Sequence, residues 1–154
     1  MHHNVTVFWQ KESEEPFIDN KYSRAHTWKF DGGIEVPASS SPHVVPLPMS
    51  IESAVDPEEA FIASLSSCHM LWFLSIAAAQ KIIVESYEDK AEGTLAKNSE
   101  GKMAMTQVIL NPKVIFSGTV IPTAEQIAVL HHQAHEKCFL ANSVKTEIVI
   151  NPLQ

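Results

Sequence analysis

The stretch DPEEAFIASLSSCHMLWFLSIAAAQ, residues 56–80, is the most hydrophobic segment of the chain. Asp56 is a favourable helix N-cap and Pro57 fits the first turn, so a helix is predicted to begin there. One face of this helix carries residues at the i, i+4 and i+7 spacing, namely Phe61, Leu65, Cys68, Trp72 and Ile76. The other faces are also apolar, which predicts a helix that is buried on most of its sides.

The uncharged run from Ala60 to Gln80 is close to the length of a membrane span. It holds four serines, a histidine and a glutamine, a polar load that makes it a poor span, and no contact with a membrane is expected. A small domain seldom encloses such a helix by itself. A partner chain is therefore predicted to supply the missing cover.

Strands are predicted on both sides of this helix. Alternating or β-branched residues mark them at 4–10, 22–30, 34–36, 85–97, 103–118 with an interruption at Pro112, and 143–150. DGG at 31–33 and NSEG at 98–101 predict turns, and the proline-rich segment 37–50 predicts a loop or a mobile lid. Thr123 to Gln126 has the pattern of a capping box that opens a second helix. This order indicates one α+β domain over residues 1–154, with antiparallel pairing.

Composition limits the classes of function. The 154 residues are 45% hydrophobic and 19% charged, which is typical of a folded globular protein. The formal net charge is −7 and no basic stripe is present, so no nucleic-acid partner is expected. Two cysteines are too few for a disulfide scaffold. Since the first residues lack the pattern of a signal peptide, we expect a cytoplasmic protein with reduced thiols.

The two cysteines lie on the predicted inward faces of the two helices. Cys68 is in the middle of the first helix and Cys138 is at the end of the second, so they can meet in the core. Each can also be an inert core residue, because free cysteine packs like a small apolar side chain. Burial raises the pKa of a thiol, so a reactive Cys68 requires a cation nearby.

Arg24 is the candidate for that cation. It is the only arginine of the chain, and a guanidinium stays charged when it is buried. It shares the parity of Trp28 and Phe30 on its predicted strand, which places it on an inward face. The alternative is a surface arginine on an exposed face.

Glu58 is the candidate carboxylate for holding Arg24. It precedes Cys68 by ten residues, about 15 Å along a straight helix, so it cannot touch Cys68 directly. An acidic residue in the first turn of a helix is also explained by the helix dipole alone.

A metal site is another interpretation of the histidines. His131, His135 and Cys138 are spaced i, i+4 and i+7 on the second helix, and His69 adjoins Cys68. Histidines four residues apart on a helix can bind zinc. No second close pair of ligands accompanies them, so neither a metal nor a cofactor is expected.

Two motifs carry a resemblance to a known family. The segment DPEEAFIASLSSCH, residues 56–69, resembles the first-cysteine motif of the OsmC/Ohr family of hydroperoxide reductases. The segment HEKCFLANS, residues 135–143, is similar to the second-cysteine motif of that family, with Phe139 where proline is common. YSRAHTW, residues 22–28, resembles a stretch found in some OsmC-like members. The order of elements and the chain length agree over nearly the whole chain.

The resemblance implies a fold and a set of roles. It implies an intertwined homodimer with a long buried central helix and active sites at the interface. Cys68 would be the peroxidatic cysteine and Cys138 the resolving one, with Arg24 and Glu58 orienting Cys68. The partners would be a small hydroperoxide and an external dithiol, and a lining of Phe61, Leu65 and Trp72 would suit an organic hydroperoxide. The alternative is a non-enzymatic sensor of oxidants, or a ligand-binding protein, on the same fold.

Overall fold

The computed structural model describes residues 1–153, which form eight strands, two α-helices and one short 3-10 helix. In chain order the elements are β1 (Val5–Phe8), β2 (His26–Phe30), β3 (Glu35–Ala38), α1 (Pro57–Ala79), β4 (Ile83–Asp89), β5 (Glu92–Lys97), β6 (Met103–Leu110), β7 (Pro112–Ser117), α2 (Ala124–Lys137), the 3-10 helix (Ala141–Ser143) and β8 (Glu147–Ile150). The chain divides into two compact units, Met1–Ala60 and Phe61–Gln154. The assignment of residues 1–154 to one domain stays a prediction.

The first unit is built on an antiparallel sheet with the order β1-β2-β3. The turn predicted at DGG is confirmed, because Gly33 has φ of +88° and its N–H donates to the carbonyl of Phe30. β2 begins at His26 rather than at Tyr22, so the alternation of residues 22–25 was misread as strand. The proline-rich segment is a loop whose two ends are buried at Ser39, Ser41 and Ser50, whereas Val44 and Leu47 between them are exposed.

The start of α1 agrees with the prediction. The N–H of Glu59 donates to Oδ1 of Asp56 at 2.8 Å, and the N–H of Asp56 donates to Oε2 of Glu59 at 3.2 Å. This reciprocal pair is a capping box, and it satisfies backbone groups that have no partner within the helix. The helix ends at Ala79, and Lys81 follows with a positive φ of 61°.

The second unit contains two sheets. β4 pairs with β7, and β5, β6 and β8 form a sheet in that order. The turn predicted at NSEG joins β5 to β6 and is confirmed by the hydrogen bond between the N–H of Asn98 and the carbonyl of Lys102. The single strand predicted over residues 85–97 is wrong, because it is divided into β4 and β5, which belong to different sheets. β8 pairs with β6 in parallel, whereas the other strand pairs are antiparallel.

The core of the second unit lies against one stripe of α1. Its fully buried residues follow the i, i+4 spacing and are Leu65, His69, Phe73 and Ala77. Phe73 and Ala77 pack against Leu130 and Ala134 of α2, and Leu65 packs against β6. The face predicted as the core, through Cys68 and Trp72, is the neighbouring stripe and is only partly buried. By length and composition α1 could cross a membrane, but one stripe of it packs in the core of the second unit. The prediction of burial on most sides is not met within one chain, where 22% of the most apolar window is buried.

Candidate active site

Two free thiols meet where α1 passes the end of α2. Thr123 opens α2 with a capping box, as predicted, and Cys138 caps its other end, with its N–H donating to the carbonyl of His135. Cys138 is buried, with 1% of its surface exposed, whereas Cys68 is partly buried. The two thiols are neighbours, since the Cys68 thiol helps to raise the pKa of Cys138 and the next residue, Phe139, lines the same pocket as Cys68.

The surroundings of Cys138 keep its thiol protonated. Burial raises the pKa of Cys138 from its ordinary value of 9.0 to about 11, and the nearby Cys68 thiol acts in the same direction. The N–H of Ala141 donates to its Sγ at 3.4 Å and works the other way, since it favours the thiolate. At neutral pH Cys138 therefore carries its proton.

A pocket of about 310 Å³ opens beside Cys68. It is lined by Cys68, Leu71, Trp72, Ser75 and Phe139. The rings of Trp72 and Phe139 meet edge to face, with centroids 5.5 Å apart. These side chains make the pocket mostly apolar, which suits a substituent that contains carbon rather than a fully polar ligand.

The predicted lining of this pocket is correct at one position of three. Trp72 lines the pocket, but Leu65 is buried in the core and Phe61 lines a different groove. Phe139 was not predicted as a lining residue, although it follows Cys138 directly in the sequence. Lys137, which precedes Cys138 in the sequence, places its Nζ 5.5 Å from the centre of the Trp72 ring.

Arg24 lies in the first unit, in the segment before β2. Its Nη1 donates to the carbonyl of Asn20 and its Nη2 to Oδ1 of the same residue, both at 2.9 Å, and Nη1 also donates to the carbonyl of Tyr22. The guanidinium carbon stacks 3.7 Å from the centre of the Tyr22 ring. Among residues 1–153 no carboxylate pairs with Arg24. The guanidinium is thus held by an amide, carbonyls and an aromatic face.

The pocket around Arg24 measures about 460 Å³ and has aromatic, polar and aliphatic side chains in its lining. Trp9, Phe17 and Tyr22 contribute to its lining, and the rings of Phe17 and Tyr22 stack with centroids 4.6 Å apart. Glu58, in the first turn of α1, belongs to the same unit. Its Oε2 is buried and has no hydrogen-bond partner within the described part of the chain. Of the four predicted site residues, Cys68 and Cys138 come together in the second unit, whereas Arg24 and Glu58 lie in the first.

A histidine pair was not recognised as core from the sequence. Nε2 of His69 and Nδ1 of His131 are 3.0 Å apart, and the two rings are parallel to within 5°. Burial lowers the pKa of each histidine to about 4, and for His69 the proximity of His131 and His135 adds to the effect. The signal was present in the spacing, because His69 lies four residues from both Leu65 and Phe73.

Two of the histidines considered for a metal, His69 and His131, are thus hydrogen-bonded to each other. In the range 1–153 no group of three His, Cys, Asp or Glu side chains is arranged to hold a metal ion. Nε2 of His69 and Nδ1 of His131 face one another across a hydrogen bond, so neither of these atoms is free to bind an ion.

Comparison with known proteins bears on the whole chain. A family model described as OsmC-like protein matches residues 51–152. The structure of an OsmC-like protein of unknown function from Vibrio cholerae is 59% identical, with 99% of each chain covered and a TM-score of 0.98. The organic hydroperoxide resistance protein OhrB of Bacillus subtilis is 18% identical, with 99% of this chain and 98% of that chain covered and a TM-score of 0.71. An OsmC-like protein from Mycoplasma pneumoniae is 14% identical, with 99% and 96% covered and a TM-score of 0.73.

The two distant structures share the fold with this chain. At identities of 14% and 18% they are evidence for the fold alone. Among curated proteins no match was found. The family resemblance seen in the two cysteine motifs and the predicted α+β fold with its long central helix are confirmed. The chain belongs to the OsmC-like protein family.

Proposed function

We propose that this protein is a thiol-dependent hydroperoxide reductase that works through Cys68 and Cys138. The observation that carries the proposal is the contact between these two free thiols, one partly exposed and one buried. Two solved relatives with the same fold are named organic hydroperoxide resistance proteins, one from Bacillus subtilis and one from Elizabethkingia anophelis. Membership of the family and the two motifs support the same chemistry for this chain.

The proposed cycle has three steps, namely oxidation of Cys68, formation of a disulfide and reduction of that disulfide. The Cys68 thiolate attacks one oxygen of the hydroperoxide, the O–O bond breaks, and an alcohol leaves after taking up a proton, while Cys68 becomes a sulfenic acid. The Cys138 thiol attacks the Cys68 sulfur, and water leaves with the thiol proton as the disulfide forms. An external dithiol then reduces the disulfide and is itself oxidised to a disulfide.

The pocket at Cys68 supports an organic hydroperoxide as the substrate. Leu71, Trp72 and Phe139 give a carbon substituent apolar surface beside the attacking sulfur. Hydrogen peroxide has no such substituent and gains nothing from these contacts. The preference is therefore expected to appear as a lower KM for organic hydroperoxides.

The test is a coupled assay of peroxide consumption. The protein is given cumene hydroperoxide or hydrogen peroxide, with a dithiol as the reductant. Repeated turnover that is faster with cumene hydroperoxide is expected. Formation of one disulfide per chain without turnover would favour the alternative, a sensor of oxidants, over an enzyme.

We expect the protein to form a homodimer that covers α1. Only 22% of the most apolar window of α1 is buried within one chain, and Leu71 is 62% exposed. Leaving such a surface in water is unfavourable by about 25 cal/mol per Å². Sedimentation at micromolar concentration is predicted to give a single species of twice the 17.1 kDa chain mass, and a monodisperse monomer would contradict the prediction.

Arg24 is proposed to supply the positive charge that favours the Cys68 thiolate, with Glu58 as its anchor. Arg24→Ala is expected to slow alkylation of Cys68 at neutral pH about tenfold, which corresponds to about 1.4 kcal/mol. Arg24→Lys should recover part of the rate, since an ammonium lacks the planar fork of a guanidinium. Glu58→Ala should show a weaker form of the same defect.

The measurement is the rate of reaction of Cys68 with iodoacetamide across the pH range, in a Cys138→Ser background. Lys21→Ala is the matched control, because it removes an exposed cation three residues from Arg24. If Arg24→Ala and Lys21→Ala give the same pH profile as the parent, Arg24 is not the activating cation.

A further inference from the structure

The buried histidine pair joins the two helices that carry the cysteines. His69 follows Cys68 on α1, and His131 of α2 precedes Cys138, the residue that caps α2, by seven residues. Within residues 1–153, the bond from His69 to His131 is the one fully buried side-chain hydrogen bond between α1 and α2. His69 is 1% exposed and His131 is 2% exposed, so water does not compete for this bond.

A polar pair in this position has a cost that an apolar pair would not have. Nδ1 of His69 and Nε2 of His131 are both buried without a partner in the described chain. A buried polar atom with no hydrogen bond destabilises the fold, whereas two packed leucines would not. The imidazole pair fixes the relative position of the two helices, because a hydrogen bond requires its two atoms to be aligned at about 3 Å. Two apolar surfaces can shift against each other and stay in contact.

The alignment of the His69–His131 hydrogen bond affects the position of the Cys138 thiol relative to Cys68. Two contacts join adjacent residues of α1, His69 and Cys68, to residues seven apart along the second segment, His131 and Cys138. Two contacts so far apart define the angle at which α2 crosses α1. With His131 as the pivot, a rotation of about 10° would move Cys138 by about 2 Å, since seven helical residues span about 10 Å. A disulfide tolerates little of this, because its S–S bond is about 2 Å long.

We propose that His69 and His131 are positioning residues, whose hydrogen bond holds α2 across α1 at the angle that brings the Cys138 thiol to Cys68. This role rests on the proposed use of the two cysteines as a redox pair. It does not depend on which oxidant the pair meets. The histidines touch no substrate and act only through the alignment of the helices.

The test replaces each histidine with asparagine or glutamine. These two side chains carry the same amide group, but at different distances from the backbone. Asparagine carries its amide nitrogen and oxygen about where histidine has Nδ1, and glutamine carries them about where it has Nε2. His131 uses Nδ1 and His69 uses Nε2. His131→Asn and His69→Gln should therefore retain the contact, whereas His131→Gln and His69→Asn should lose it.

The measured quantity is the equilibrium constant of the Cys68–Cys138 disulfide in a buffer of reduced and oxidised dithiothreitol. In this exchange the two protein thiols lose two hydrogens, which oxidised dithiothreitol takes up as its own disulfide opens. We expect His131→Gln and His69→Asn to lower the constant at least tenfold. We expect His131→Asn and His69→Gln to stay within about threefold of the unchanged protein. The oxidised fraction is read by alkylation and mass spectrometry.

Leu130→Ala is the control for a general loss of stability, because Leu130 is buried in the same core but is not one of the histidines. It should lower Tm and leave the disulfide constant unchanged. The positioning role is overturned if all four histidine variants behave alike, or if Leu130→Ala lowers the constant as much as His131→Gln does. A protein that forms the disulfide with the expected pattern but consumes no hydroperoxide would contradict the proposed function and leave the positioning role standing.

Discussion

Cys68→Ser is expected to abolish the consumption of hydroperoxide, with a loss of at least about a thousandfold, because a serine hydroxyl is a far weaker nucleophile than a thiolate. Cys138→Ser is expected to consume one equivalent of hydroperoxide per chain and then to stop, with a sulfenic acid left on Cys68. The first is measured in the coupled assay. For Cys138→Ser, the sulfenic acid is trapped with dimedone and the mass of the adduct is determined by mass spectrometry.

Ser67→Ala is the matched control for these variants. Ser67 is the neighbour of Cys68 on α1 and is exposed, so its change should leave both the fold and the rate as they were. Full turnover by Cys68→Ser would exclude Cys68 as the attacking thiol. Continued turnover by Cys138→Ser would mean that an external thiol, rather than Cys138, resolves the sulfenic acid.

The folded protein is expected to lose stability steeply between pH 6.5 and pH 4. His69 and His131 have folded-state pKa values of about 4, against 6.5 for an unperturbed histidine. Over this range the unfolded chain therefore binds more protons than the folded chain, so the free energy of unfolding falls as the pH falls. Each histidine can account for a loss of up to about 3 kcal/mol in the free energy of unfolding. This is a large share of the total stability of a small domain.

Urea unfolding at pH 7, 6, 5 and 4.5 measures this loss. The control is the double variant with His69→Gln and His131→Asn, which keeps a polar pair but has no imidazole to protonate at either position. Its stability should change much less over the same range, where most carboxylates are still ionised. A free energy of unfolding that is equal at pH 7 and pH 4.5 in the unchanged protein would contradict the prediction.

Features set by neighbouring residues were predictable from the sequence. Asp56 and Pro57 mark the start of α1, and Thr123 and Gln126 mark the start of α2, because a capping box involves only four consecutive residues. The turns before β3 and before β6 follow from glycines that adopt positive φ. The two cysteine motifs were enough to identify the family.

Features that depend on distant partners were not predictable in the same way. The parallel pairing of β8 with β6 joins residues about 40 positions apart, and no local pattern encodes it. His69 looked polar and was therefore read as a possible ligand, although its partner His131 makes it a core residue. Arg24 was placed on a strand because the residues around it alternate, whereas hydrogen bonds to Asn20 and Tyr22 hold it in the segment before β2.

The unequal exposure of the two sulfurs has a consequence for the chemistry of recovery. In the proposed disulfide, an incoming thiolate would reach the sulfur of Cys68 rather than that of Cys138, which has 1% of its surface exposed. The sulfur expelled is then Cys138, a poor leaving group because its thiol pKa is raised to about 11. The mixed disulfide would form on Cys68 and readily revert. A reductant with a second sulfur on the same molecule can capture it before reversal, so dithiols should outpace monothiols of equal strength.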